Sequence, residues 1–146
     1  MELIPIKETL EDNEEFLNHP LCRDILPMSV DYYKKIGYTA PWIGYFALQN
    51  GKLVGSAGFK GAPINGKIEI AYGTFDEFQN QGIGTKICKQ LVEISLQTDP
   101  SVTITARTVE NEGYSAKILI KNRFTSVGTV IDSEDGEVWE WVYKGT

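Results

Sequence analysis

Histidine and cysteine are scarce in this 146-residue chain, which has one histidine, His19, and two cysteines, Cys22 and Cys88. A Ser-His-Asp or Cys-His mechanism would have to run through His19. That residue precedes Pro20 in a polar N-terminal stretch and reads as a surface group. Two cysteines without CxxC or Cys/His spacing build neither a disulfide scaffold nor a metal site. No apolar run approaches the ~18 residues of a membrane span and no signal peptide opens the chain, so a reduced, cytoplasmic setting away from membranes is expected. Positive charge is short as well, with 14 basic against 20 acidic residues and a net charge of −6. Binding a phosphate backbone needs a positive face, so nucleic acid is not an expected partner. The negative surplus suits a cationic substrate such as an amine, and it equally suits simple solubility.

What remains is ordinary globular material. Apolar residues make up 42% and charged residues 23%, and a chain of about 150 residues buries enough surface for a core without disulfides or metal. No repeat, low-complexity tract or long linker divides it, so a single domain over 1–146 is expected. Glu2–Ile6 reads as a first strand, with Pro5 suited to an edge. Thr9–Leu17 reads as a short acidic helix, and Asp31–Pro41 carries Tyr32, Tyr33 and Ile36 at helical spacing. Trp42–Gln49 and Leu53–Lys60 form a hairpin across Asn50-Gly51, whose residues tolerate positive φ. A turn at Pro63–Gly66 leads to Lys67–Phe75, where Ile68, Ile70 and Tyr72 alternate with Glu69, Ala71 and Gly73. From Gly82 to Leu96 an apolar stripe of Ile83, Ile87, Leu91 and Ile94 predicts an amphipathic helix, stopped by Asp99-Pro100. Val102–Thr108 is a strand and Tyr114–Asn122 a helix. Phe124–Ile131 and Glu137–Tyr143 form a closing hairpin across Asp135-Gly136. The pattern is mixed α and β (α+β), with helices covering a central sheet.

The segment Gln79-Asn80-Gln81-Gly82-Ile83-Gly84-Thr85 joins a clear strand to a clear helix. Glycine there allows close backbone approach, and amides at a helix start favour an anion such as a pyrophosphate. It is not a P-loop, because Gly84 is followed by Thr85 and then Lys86 rather than by Lys-Ser/Thr. It is not a dinucleotide fingerprint, because Ile87 occupies the third small position.

Gln79, Gly82 and Gly84 in this context resemble the Gln/Arg-x-x-Gly-x-Gly/Ala loop of the GNAT acetyltransferase superfamily. Glu69-Ile70-Ala71-Tyr72 resembles the strand before that loop. Ser115 to Phe124 resembles a family helix end, and Asp135 to Trp141 its last hairpin. The likeness runs from about residue 42 to the C-terminus, and the C-terminal half resembles the branch acting on protein N-termini and small amines. It implies a mostly antiparallel twisted sheet of about seven strands with about four helices. It also implies acetyl-CoA as cosubstrate and a small-molecule or peptide amine as partner, in a monomer or homodimer. By the same resemblance the backbone of Gln79, Asn80, Gln81, Gly82, Ile83, Gly84 and Thr85 holds the pyrophosphate. Tyr72, Thr74 and Phe75 pair with the pantetheine arm, and Asn111 and Ser115 lie near the thiol. Three departures stand out. Arg123 replaces a usual glycine, leaving Asn122 to end the helix in its place. Asn111 and Ser115 are one residue further apart than usual. Leu119 stands where many members carry a proton-donating tyrosine.

The chemistry implied by this resemblance makes two proton demands. Glu69 is the candidate base, through water, or else a solvated glutamate on the outer strand face. Tyr72 is a candidate acid or substrate wall, or else a core residue. A bulge at Gly73 would bring Glu69 and Tyr72 to one side and free an amide for the oxyanion. Ser115 and Tyr114 are spare acids, and Cys88 falls on the buried stripe as a small hydrophobe. Acceptor specificity is expected from Asn18–Trp42 and the last hairpin, with Tyr32, Tyr33, Tyr38 and Trp42 available as walls. Leu119 in the acid position keeps a non-catalytic acyl-CoA-binding or interaction module open as the alternative.

Overall fold

The computed structural model describes residues 1–145. Among them, seven strands form one sheet in the order β1 (Glu2–Pro5), β2 (Gly44–Gln49), β3 (Lys52–Phe59), β4 (Lys67–Thr74), β5 (Thr103–Thr108), β7 (Gly136–Tyr143), β6 (Phe124–Asp132). Every neighbouring pair is antiparallel except β4 and β5. A parallel pair needs a crossover, and helix α3 (Ile83–Thr98) supplies it. The other helices are α1 (Glu14–Leu17), α2 (Ile25–Ile36) and α4 (Tyr114–Lys121). Two of the predicted turns form with left-handed pairs, Asn50 and Gly51 at φ 52° and 77°, and Asn65 and Gly66 at the same angles.

The sheet has a helix layer on each side. Ile68 and Ile70 of β4 face α3, whose Ile83, Ile87, Cys88 and Leu91 are fully buried. The opposite face of the β1–β3 half carries a second core, in which Phe46 and Leu53 meet Phe16, Leu26 and Val30 of the first two helices. Strand alternation therefore sends Tyr72 and Thr74 toward α3, and Glu69, Ala71 and Gly73 toward the other side.

Three expectations change. The acidic Thr9–Leu17 segment is not one helix, because the buried Asn13 side chain accepts from the Lys7 amide and donates to the Lys7 and Thr9 carbonyls. That local bonding competes with helical pairing, so a 3-10 turn precedes a four-residue α1. The second helix covers Ile25–Ile36 rather than Asp31–Pro41. Pro27 sits in its first turn, where a missing N–H does no harm, and Gly37 ends it at φ 105°. After α4 it is Arg123, at φ 69°, that takes the left-handed position, and Asn122 stays near φ −94°.

Candidate active site

Strands β4 and β5 pair only from Lys67↔Thr103 to Ile70↔Ala106. Beyond that point β4 stays with β3 as far as Gly55↔Thr74, and β5 stays with β7 as far as Thr108↔Trp139. The two strands therefore part, and a cleft opens between their unpaired edges. Its narrow part, about 140 Å³, is lined by Glu69, Tyr72, Arg107, Ser115 and Asp132 among others. Backbone groups of successive strand residues point to alternate edges. The Glu69 carbonyl accepts from Lys60, and the Phe75 amide donates to Val54, both toward β3. Tyr72 and Thr74, in the other phase, turn their main-chain groups into the cleft. Phe75 does not share that position, because its amide is already spent.

The register between β3 and β4 is unbroken from Gly55↔Thr74 to Phe59↔Ile70. There is no bulge at Gly73, and Glu69 and Tyr72 stay on opposite faces. They still line one cleft, because a gap between splayed strands is open to both faces. The bulge was unnecessary to bring them together.

Each side chain has a distinct environment. Glu69 lies 3.6 Å from the Nε of Arg107, which also pairs with Asp132 at 2.8 Å and Glu140 at 3.5 Å. Burial pushes the Glu69 carboxyl above its usual value, against the lowering pull of Arg107 and Lys60. The Arg107 hydrogen bond and the amides of Glu134 and Asp135 hold Asp132 down to about 2. The Tyr72 hydroxyl donates to the Ser115 carbonyl at 3.3 Å, and burial, with Cys88 and Tyr114 nearby, raises its pKa. Such a phenol keeps its proton and acts as a hydrogen-bond donor. Ser115 is exposed at the first turn of α4, where it lines both the cleft and its extension along Thr108–Ala116. Asn111 lies exposed in the preceding loop and lines neither wall. Cys88 is fully buried and pushed up to about 12, a packing residue.

At the head of α3, Asn80 and Gly82 are left-handed, at φ 64° and 75°. Gln79, Asn80, Gln81 and Gly82 are exposed, and a Cβ built on Gly82 meets nothing within 4 Å. The amides of Ile83, Gly84 and Thr85 have no acceptor within the helix, and the Ile83 side chain is fully buried. The loop thus leaves main-chain amides free at the helix head while the Ile83 side chain points into the core. Thr85 also ties α3 to α4 by accepting from the Asn122 amide group at 3.2 Å. Gly84 has a different reason from Gly82: a Cβ there would lie 2.5 Å from Cδ1 of Ile118, so this glycine lets α3 and α4 approach. Next to it, the Thr74 Oγ1 is buried and has no hydrogen-bond partner among the described residues.

The acetyltransferase (GNAT) domain model matches residues 1–125. The chain belongs to that family. The N-acetyltransferase YjdG of Bacillus subtilis (strain 168), itself uncharacterised, is 30% identical over 95 residues, 64% of this chain. The matched stretch is about half of YjdG, 54% of its length. Among solved structures, RimL, a ribosomal-protein alpha-N-acetyltransferase in complex with coenzyme A, aligns with TM-score 0.65 at 18% identity. That alignment covers 92% of this chain and 77% of RimL. The aminoglycoside acetyltransferase AAC(6')-Ib with coenzyme A aligns with TM-score 0.64 at 22% identity, over 97% and 91% of the two chains. At these identities the structures speak to the GNAT fold, which the seven-stranded sheet and four helices match.

Sequence reasoning missed Arg107, Asp132 and Lys60, all on the cleft wall. Arg107 follows the alternation of β5, but no local motif marks it. Its partners lie on three other strands, 25 to 38 residues away. Among the described residues no group of His, Cys, Asp and Glu has metal-holding geometry, and no helix is long and apolar enough to cross a membrane.

Proposed function

We propose that this GNAT domain transfers the acetyl group of acetyl-coenzyme A to a primary amine by direct attack on the thioester, in the cleft between β4 and β5. The observation that carries the reading is the parting of these strands directly above the head of α3, with Thr74 Oγ1 buried there and unpartnered among the described residues. Acetyl-CoA supplies an activated acyl carbon and a thiolate leaving group. The main chain of Tyr72 and Thr74 receives the extended arm as an added strand would be received. The outward amides from Gln81 to Thr85 and the positive end of the α3 dipole receive the diphosphate. An amide on the cleft edge of β4 stabilises the charge that develops on the acyl oxygen, an effect of about 3 kcal/mol for a well-placed donor.

Glu69 takes the proton of the incoming ammonium through water. Its raised pKa makes it a better base than an ordinary glutamate. Tyr72 and Ser115 stand at the thiol end. The leaving thiolate, with an ordinary pKa of about 8.5, departs with little help. One observation favours a second reading, a module that binds acyl-CoA without turnover: Leu119 is fully buried in the core, so that position offers no proton donor. Calorimetry with acetyl-CoA, followed by thiol release in the presence of amines, separates the two. Micromolar binding with turnover supports the enzyme. Binding with no turnover on any amine leaves the module, and no binding at millimolar acetyl-CoA removes both.

A further inference from the structure

On the face of the sheet away from α3 lies a groove of about 440 Å³, roofed by α2, a volume within the range of small-molecule sites. It shares Lys60, Ala71 and Tyr72 with the cleft, so the two spaces adjoin. Its floor is made of small residues, including Gly73, Ser56 and Gly58. Gly73 does not need to be glycine for its backbone, since it has no positive φ and a Cβ there would meet only Ser56 Oγ, at 3.9 Å. Its missing side chain leaves space, and that space is the groove.

The roof is apolar in a specific way. Ile25, Met28 and Tyr32 project from α2 at helical spacing, next to the stripe of Leu26, Val30 and Tyr33 that fills the core. Met28 is 72% exposed, an unusual place for so apolar a side chain. The phenols that border the groove are already spent: Tyr32 donates to the Lys60 carbonyl at 3.0 Å, Tyr45 to Pro41 at 2.6 Å, and Tyr33 to Phe59. They present ring surface and no free hydroxyl. Of the four aromatic residues expected as walls, Tyr32 and Tyr33 line the groove, whereas Trp42 lies in the core and Tyr38 donates to the Ile6 carbonyl. Charge is confined to the ends. Across groove and cleft together, four carboxylates (Glu69, Asp132, Glu134, Asp135) face two cations (Lys60, Arg107).

We infer that the groove is the acceptor site and that it takes a primary amine carried on an apolar, preferably aromatic, body. The inference rests on the acetyl-transfer reading and deepens it. The ammonium is drawn to the carboxylate-rich cleft, and the body lies between Tyr32, Met28 and the small-residue floor. A polyamine would strand its inner charges against the apolar side chains of Ile25 and Met28, and a polyhydroxylated amine would lose hydration that the spent phenols do not replace.

The test compares kcat/KM for 2-phenylethylamine and tryptamine with that for spermidine, kanamycin and a peptide starting with serine. The aromatic amines should lead by about tenfold or more. A lead for any of the other three overturns the inference. Gly73→Val, a residue at home in a strand, should raise KM for tryptamine about tenfold while leaving acetyl-CoA affinity within about twofold. An unchanged KM also overturns it. If no amine is acetylated, acetyl transfer fails. Calorimetric binding of tryptamine, lost in Gly73→Val, then supports the groove on its own, and absence of binding refutes it.

Discussion

Thr74→Val exchanges a buried hydroxyl for a methyl group of nearly the same shape. Both residues are β-branched, so the propensity of β4 is unchanged. The hydroxyl oxygen lies 3.5 Å from where a Cβ on Gly84 would stand, at the head of α3, and no group among the described residues satisfies it. Burying an unpaired hydroxyl costs about 1–3 kcal/mol on mutational scales. Removing it should therefore stabilise the unliganded protein by ~1 kcal/mol or more, a rise in Tm of roughly 3 °C per kcal/mol for a chain of this size. If the hydroxyl serves bound acetyl-CoA, the variant also loses one hydrogen bond in the complex, worth about 0.5–1.5 kcal/mol, or roughly a 2- to 13-fold weaker Kd. Differential scanning calorimetry on the free protein and titration calorimetry with acetyl-CoA measure the two effects separately. The two must move in opposite directions. A less stable variant with an unchanged Kd would show that Thr74 is a packing residue and would remove it from the cleft's binding wall.

The two loop glycines should separate. Gly84→Ala forces a Cβ toward the buried Ile118 Cδ1 and should destabilise by about 1–2 kcal/mol after the gain in helix propensity. Ile118→Val should restore part of that loss, and purely additive denaturation midpoints would refute the clash. Gly82→Asp, at a left-handed and open position, should act mainly on acetyl-CoA affinity, by at least about tenfold in calorimetry. Glu69→Gln should remove the acid limb of the pH–rate profile, because only the ionised carboxylate can accept a proton. Its raised pKa means the folded state disfavours the charge, so parental stability is full below the ordinary glutamate value and falls as pH rises through the raised one. The variant's Tm relative to the parent should accordingly improve as pH rises above the ordinary glutamate value of 4.5. Asp132→Asn has the opposite sign. The parent's carboxylate contributes above its ordinary value of 3.8 and loses that contribution as pH falls toward about 2, so the stability deficit of the variant should close over that window, as read by urea midpoints.

Local chemistry marks most of the elements. Period-two alternation picked out β4, the apolar stripe picked out α3, and Asn50-Gly51 picked out the first hairpin turn, because each signal lies within a few residues of chain. The errors have the same logic. Asn13 breaks the first helix by bonding to Lys7, and α2 hides behind Pro27, whose position in the first turn is visible only once the helix start is known. In the site, the loop from Gln79 to Thr85, proposed to hold the diphosphate, was legible because a left-handed strand-to-helix corner favours glycine, as at Gly82.

The amino-acid order by itself determined the strand–helix succession and the glycine-bearing corner, since backbone freedom, hydrophobic period and capping all act at short range. Only the tertiary structure decided that β4 and β5 part after Ile70 and that Arg107 gathers carboxylates from three other strands. It also decided that Gly84 serves helix packing whereas Gly73 clears a groove. Those outcomes depend on which distant residues share a space, and contact between remote parts of a chain is settled by the packing of the whole sheet and its two helix layers.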